Sequence, residues 1–230
     1  MINIKIKILD EGKHYIVLFK PPGILVMPHG NSKESTLLGM ARKQLGRNIL
    51  PTHRLDRVTT GCCLFAKTPY GQQALFDLFK KHLINKIYLA IVEGIPSFQT
   101  KTVNSKLVKI LNLKKNYSYQ TISSNHVGEK SLTNFKVLSI KNDFSLIEAQ
   151  PITGKMHQIR IHLSHIGLPI VGDQLYGSSI KYFKQTIALH AYRIIFPLPE
   201  GGGYKNIIAT PNERFTSLAK KHSLRQLKNK

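Results

Sequence analysis

Short strand-like segments separated by a few helical ones set the strongest limit on how this chain can fold. Apolar runs or strict alternation, which are typical of strands, occur at 2–8, 14–20, 61–68, 86–94, 132–140, 144–152 and 187–199. Apolar residues at helical spacing occur at 35–46, 69–83 and 156–167. This order predicts a mixed α and β fold that starts with a hairpin-like strand pair.

Residues 95–130 and the C-terminal end of the chain carry little periodic signal. Residues 95–130 are rich in Ser, Asn, Lys and Thr, which predicts loops and short strands. The segment 187–199 is predicted to end the ordered body, and the last residues to form a frayed basic end. With no repeat and no long linker, we predict one domain over 1–218 and a basic tail over 219–230.

A large excess of basic residues indicates the type of partner. The chain has 34 Lys and Arg against 12 Asp and Glu, a formal net charge of +22, and the excess is present in both halves. Such a basic body predicts a polyanionic partner. Because the basic residues are spread over the chain and do not form one amphipathic helix, nucleic acid is a better candidate than a membrane surface.

The cysteines and the apolar segments indicate the compartment. Cys62 and Cys63 are adjacent in an apolar run, so we interpret them as small buried hydrophobic residues. The longest apolar stretches are far too short to cross a membrane, and no segment resembles a signal peptide. We therefore expect a soluble cytoplasmic protein that makes no membrane contact and acts as a monomer.

One acid stands inside a basic turn in "PTHRLDRVTTG". Asp56 lies among His53, Arg54 and Arg57, whose charges would favour an ionised carboxylate. An ionised acid in a basic groove can act as a nucleophile or a base. A simple surface ion pair with Arg54 or Arg57 is the alternative interpretation.

A second polar cluster lies in "TGKMHQIRIHLSHIG". A helix there places His157, Arg160 and Ser164 close to one face, so Arg160 could point into a site. The histidines of this stretch lack a single-face spacing and have no nearby Cys or acid, so we expect no metal site. The stretch is not a phosphate loop either, since Met156 follows Lys155 where Ser or Thr is needed.

A tyrosine interrupts the aliphatic strand "NKIYLAIVEG". Tyr88 has Lys86 two residues before it on the same face. Strand tyrosines usually serve packing, so Tyr88 by itself indicates little about function.

Taken in order, these stretches resemble the RluA-type pseudouridine synthases. "HRLDRVTTG" resembles the HRLD-x-x-TSG signature of that family. Further stretches match its other motifs in the same order: "FKPPGILVMP", "KIYLAIVEG", "TGKMHQIRIHL", "GLPIVGDQLYG" and "ALHAYRIIFPLP". The resemblance covers roughly residues 8 to 200, and several ordered motifs are far more specific than one.

The resemblance implies an α+β fold, with a large mixed, mostly antiparallel sheet and with helices and loops around a central cleft. It also implies a reaction without cofactor or metal, in which a uracil in RNA is cut from its ribose at N1, rotated and rejoined through C5. Asp56 would be the catalytic carboxylate, either attacking the ribose or base or removing a sugar proton. Tyr88 would stack on the uracil and help to take the C5 proton, and Arg160 would pair with Asp56.

The same resemblance suggests how the RNA, ribosomal or transfer, is held. Arg54 would fill the space that the flipped uridine leaves. The remaining predicted substrate-binding residues are His53, Arg57, Lys86, Lys155 and His157. The chain departs from the family pattern at Lys155 and Met156, and we expect altered RNA contacts there.

Other relatives of this type carry an N-terminal S4 domain, whereas the catalytic pattern here begins within the first ten residues. Two rival functions remain. A non-catalytic RNA-binding or ribosome-assembly protein would explain the charge. A ribonuclease could use His53 and Asp56 as acid and base.

Overall fold

The computed structural model describes residues 5–28, 35–112, 117–122 and 127–224, with the side chains of 111, 112 and 117–121 excluded. Its strands are β1 (Lys7–Glu11), β2 (Tyr15–Lys20), β3 (Leu50–Pro51), β4 (Thr60–Ala66), β5 (Asn85–Glu93), β6 (Thr100–Asn112), β7 (Tyr117–Ile122), β8 (Glu129–Lys141), β9 (Phe144–Pro151), β10 (Leu189–Pro197) and β11 (Tyr204–Ile208). Its helices are α1 (Leu37–Leu45), α2 (Pro69–Lys80), α3 (Gln158–His165) and α4 (Glu213–Lys221), with a short 3-10 turn at Gln174–Tyr176.

The chain divides into two compact units, each built from separate segments. Unit 1 comprises Met1–Lys86, Lys184–Thr186 and His190–Asn212. Unit 2 comprises Ile87–Phe183, Ile187–Leu189 and Glu213–Lys230. The predicted division into a catalytic domain over 1–218 and a tail stays a prediction. Of the predicted tail, Ala219, Lys220 and Lys221 belong to α4, and 225–230 lie outside the described residues.

Unit 1 is a mixed sheet with two helices. Its strands follow the order β1, β2, β4, β10, with β3 paired to β4 and β11 paired to β10. All these pairs are antiparallel except β4 with β10, which is parallel. The two cysteines lie buried in its core, as predicted. At Gly61 a Cβ atom would lie 2.2 Å from the carbonyl oxygen of Ala191, so only glycine allows β4 and β10 to approach this closely.

Unit 2 is an antiparallel sheet in the order β5, β9, β8, β6, β7. Helix α3 packs against β7, β8 and β9, and its residues from Gln158 to Leu163 are all buried. Helix α4 buries Phe215 and Ala219. The ring of His222, just after α4, contacts the ring of Phe144 at 3.7 Å between centroids.

The predicted α+β class, with mixed and mostly antiparallel strands, is confirmed. The predicted helices and the hairpin over 132–152 are also confirmed. The first hairpin pairs Lys7 with Phe19; residues 5 and 6 of the predicted strand 2–8 are not part of β1, and residues 2–4 lie outside the described residues. The prediction of loops and short strands over 95–130 is wrong, because Thr100–Asn112 forms one long strand. Its few buried side chains, such as Val103 and Leu107, are separated by polar ones, so the apolar signal is weak.

The chain end also differs from the prediction. The segment 187–199 does not end the ordered body, because β11 and α4 follow it. Among the described helices, none is both long enough and apolar enough to cross a bilayer.

Candidate active site

Asp56 lies in a turn of unit 1 between β3 and β4, half-buried, and the backbone of this turn is tied down from two sides. The amide of Thr59 donates to the carbonyl oxygen of Asp56 at 3.1 Å. From the end of β2, the ammonium group of Lys20 donates to the carbonyl oxygens of Arg57 at 3.0 Å and Thr59 at 2.7 Å. The chain that directly follows Asp56 is therefore fixed at two carbonyls by one side chain.

Lys20 is fully buried, which is rare for a lysine. Burial lowers its pKa to about 7, and the nearby Asp56 charge acts in the opposite direction. A third acceptor, the carbonyl of Pro21 at 3.0 Å, completes a set that matches the three N–H groups of a charged ammonium. Sequence reasoning missed Lys20 as a site residue, although a lysine directly before Pro-Pro-Gly was the available signal.

His53 has a structural contact on the ring nitrogen that a catalytic acid or base would use. Its Nε2 accepts the backbone N–H of Leu64 at 2.8 Å, and its ring lies against Phe79 at 4.9 Å between centroids. Burial first, and the charge of Lys86 second, lower the pKa of His53 to about 3. Nε2 of His53 is therefore engaged as an acceptor of a backbone hydrogen bond, which favours a structural role for this nitrogen over acid–base chemistry. A role of His53 in binding RNA stays a prediction.

The other predicted RNA contacts of unit 1 differ in exposure. Arg54 is exposed and Arg57 is half-buried, with its carbonyl also accepting the amide of Gly23 at 2.9 Å. Lys86 is partly exposed at the start of β5, and burial lowers its pKa to about 8. Arg54 is thus the flanking cation most available to a bound RNA.

In unit 2, Arg160 is held in a buried ion pair. Its Nε donates to one carboxylate oxygen of Asp173 at 2.6 Å, and its Nη2 donates to the other at 2.8 Å. The two side chains are only 6% and 2% exposed. The guanidinium also lies over the ring of Tyr176, at 4.9 Å from Cζ to the centroid. This two-point contact plus stacking fixes the plane of the guanidinium.

Asp173 and Tyr176, which contact Arg160, come from one short segment, and His157 before α3 contacts Tyr176. His157 precedes α3 in the left-handed conformation, with φ of 58°, and its Nδ1 lies 2.8 Å from the hydroxyl of Tyr176. The 3-10 turn in "GDQLYG" supplies both Asp173 and Tyr176, and the amide of Tyr176 donates to the carbonyl of Asp173 at 3.0 Å. Sequence reasoning quoted this motif but did not assign these two residues, although an acid in a chain so poor in acids was a signal.

The last predicted site residues of unit 2 are Tyr88 and Lys155. Tyr88 is half-buried near the start of β5, opposite Ala149 of β9. Lys155 forms an exposed ion pair with Glu129 at 2.6 Å, and its amide donates to Gln158 at 3.0 Å. Arg160 was predicted to pair with Asp56, and the partner described in unit 2 is Asp173. The pairing with Asp56 stays a prediction.

Groups of three or more Cys, His, Asp or Glu that could hold a metal ion do not occur within the described part of the chain.

Comparison with known proteins places this arrangement in a family. Residues 14–165 match the family model described as RNA pseudouridylate synthase. Ribosomal large subunit pseudouridine synthase D of Borreliella burgdorferi is 32% identical over 226 residues, covering 93% of this chain and 67% of that protein. The mitochondrial tRNA pseudouridine(32) synthase of Saccharomyces cerevisiae is 32% identical over 174 residues, covering 75% of this chain and 37% of that protein.

A solved structure agrees with these matches. The structure titled human RNA Pseudouridylate Synthase Domain Containing 4 superposes with a TM-score of 0.76 at 25% identity, covering 95% of this chain and 94% of that one. The chain belongs to the RNA pseudouridylate synthase family. Its predicted class, an isomerase that forms pseudouridine in RNA, is thereby confirmed.

Proposed function

We propose that this protein isomerises specific uridines of large-subunit ribosomal RNA, with Asp56 as the reacting carboxylate. The observation that carries the assignment of Asp56 is its turn, in which a half-buried carboxylate stands on a backbone fixed by the buried ammonium of Lys20. A surface ion pair does not need such a support, whereas a reacting group must be held within a fraction of an ångström.

The remaining roles follow the family resemblance. Tyr88 stacks on the uracil and helps to remove the C5 proton, and Arg160 keeps Asp56 charged and oriented. Asp173 accepts from two N–H groups of the Arg160 guanidinium, and Tyr176 stacks under it. Asp173 and Tyr176 would therefore act as positioning residues, which fix the plane of the Arg160 guanidinium.

RNA is held around this carboxylate by cations. Arg54, being exposed, fills the stack that the uridine leaves, while Arg57, Lys86 and Lys155 contact phosphates. His53 and His157 complete the predicted binding set through their ring surfaces. Action as a cytoplasmic monomer belongs to the same proposal.

Ribosomal RNA is the first candidate substrate because a relative that covers 93% of this chain is named for the large ribosomal subunit. Transfer RNA is the second candidate, because another relative is named for it. To distinguish the two candidates, wild-type protein is incubated with each RNA, prepared without modifications and tritiated at uracil C5. Tritium release is then measured for each RNA. Release from large-subunit RNA alone supports the proposal, and release from transfer RNA alone contradicts the substrate assignment. Cleaved RNA without tritium release would contradict the reaction itself.

A further inference from the structure

An aromatic pair and an arginine meet on the surface of unit 2, apart from the residues assigned above. The ring of Phe183 is 48% exposed. The guanidinium of Arg214, in the first turn of α4, lies over this ring at 4.6 Å from Cζ to the centroid. The ring of Tyr182 meets it edge-on, at 5.0 Å between centroids and an interplanar angle of 71°.

Phe183 keeps much of its surface accessible beside these contacts. Arg214 lies over the ring, Tyr182 meets it in T-shaped geometry, and 48% of the residue is still exposed. Within the described residues, no carboxylate pairs with Arg214, and both Lys181 and Glu213, the neighbour of Arg214, are exposed. The accessible part of Phe183 therefore has a cation stacked on its own ring.

Exposure alone would not single out Phe183, since isolated exposed apolar residues are common. Phe76 on α2 is 43% exposed, nearly the same, but no cation lies over its ring in the part of the chain that the structure describes. An arginine stacked on an aromatic ring holds the ring in one orientation and keeps its charge available to a ligand.

The residues that support Phe183 are held by buried side chains. Helix α4 is anchored by the buried side chains of Phe215 and Ala219. The hydroxyl of Tyr182 is buried without a hydrogen-bond partner among the described residues, so packing alone fixes that ring. Burial raises the pKa of Tyr182 to about 12. The Tyr182 ring is thus a neutral support for Phe183.

We propose that Phe183, backed by Arg214, is a stacking surface for one unpaired base of the RNA, in addition to the reacting uridine. Aromatic rings and guanidinium planes are the groups on which unpaired RNA bases stack, and cations beside them hold the phosphates. A paired base presents no free face, so the surface selects single-stranded or looped RNA. The inference goes beyond the proposed function and takes from it only that the ligand is RNA.

The chain offers a direct reporter because it contains no tryptophan. In Phe183→Trp the only indole fluorescence comes from the proposed surface. An unstructured oligoadenylate of about twelve nucleotides should quench it saturably, and a blunt RNA duplex of the same length should not. Equal response to strand and duplex, or no response to either while RNA is bound, would overturn the proposal.

A pair of truncations measures the contribution to affinity. Phe183→Ala should raise the Kd for the same oligoadenylate about five- to hundredfold, which is the range for losing one stacked base. Phe183→Leu, which keeps apolar bulk but no flat ring, should weaken binding nearly as much. The matched control Phe76→Ala should stay within about twofold of wild type. Thermal unfolding of each variant confirms folding, and a Phe183→Ala Kd equal to that of the control would reject the surface.

Failure of this inference and failure of the proposed function give different results. Tritium release from large-subunit RNA is measured with wild-type protein, in which Phe183 is unchanged, so it tests the substrate assignment. The fluorescence and affinity experiments use oligomers that contain no target uridine, so they test the stacking surface by itself.

Discussion

Asp56 in unit 1 and Arg160 in unit 2 are held in place by different kinds of contact. At Asp56 the backbone is fixed, by the ammonium of Lys20 on flanking carbonyls, and the side chain is left half-buried. At Arg160 the side chain itself is buried and fixed by Asp173 and Tyr176. A group that must contact substrate has to remain accessible, whereas an orienting group can be packed completely.

The largest loss of stability should follow removal of a buried ion-pair partner. Asp173→Ala removes the carboxylate that accepts two hydrogen bonds from the buried Arg160 guanidinium, which should cost about 3–5 kcal/mol in urea unfolding. Adding Arg160→Met should restore most of this loss, since no charge then remains buried. The control Glu129→Gln, at the exposed pair with Lys155, should cost less than about 1 kcal/mol. If Asp173→Ala and Glu129→Gln lower the free energy of unfolding by similar amounts, burial does not make the Arg160–Asp173 pair more important for stability than the exposed pair.

A smaller loss is expected where one side chain holds the turn backbone. Lys20→Met removes the donor from three carbonyls and should cost about 2–3 kcal/mol. The amide of Thr59, which closes the turn on Asp56, should lose hydrogen-exchange protection more than amides of β8 and β9 do. The exposed Lys13→Met serves as control and should change stability by less than about 0.5 kcal/mol. Unchanged protection at Thr59 would mean that Lys20 does not hold the turn.

The sequence predicted the strands that carry these groups better than it predicted how the groups are held. Buried strands such as β4 and β5 were found because their apolar runs are continuous, whereas β6 was missed because most of its side chains are polar. Asp56, Tyr88 and Arg160 were assigned through motif order. Lys20 and Asp173 were not, because burial of a charged side chain depends on tertiary contacts that leave no periodic signal.

Acid should weaken the protein through its buried neutral histidines. Burial lowers the pKa of His53 to about 3 and that of His190 to about 4, so below about pH 6.5 the unfolded chain takes up protons before the folded one. Stability therefore falls as pH falls through this range, by at most about 1.4 kcal/mol per pH unit for each histidine. His53→Gln should be less stable than wild type at pH 7, yet should lose less stability on going to pH 5. Parallel losses in urea unfolding would mean that His53 is not kept neutral by the fold.

The smallest effect concerns Arg54, the exposed neighbour of Asp56. If Arg54 fills the stack after the uridine leaves, Arg54→Ala should slow single-turnover tritium release from a folded stem-loop about tenfold. Tritium release from an unstructured oligomer with the same uridine should be slowed less than about threefold, because little stacking is lost when that uridine leaves. Equal slowing on both RNAs would leave Arg54 as a charge partner of Asp56 and reject its role in base extrusion.

In the proposed function Asp56 reacts with the RNA and does not merely support the fold or contribute to RNA affinity. The most direct test of this role is tritium release from RNA labelled at uracil C5, with Asp56→Asn beside the exposed control Asp77→Asn on α2. If Asp56 is the reacting carboxylate, Asp56→Asn should release no tritium while its RNA affinity stays within about tenfold of wild type, and Asp77→Asn should release tritium at the wild-type rate. Release by Asp56→Asn at a rate near that of wild type would contradict this role.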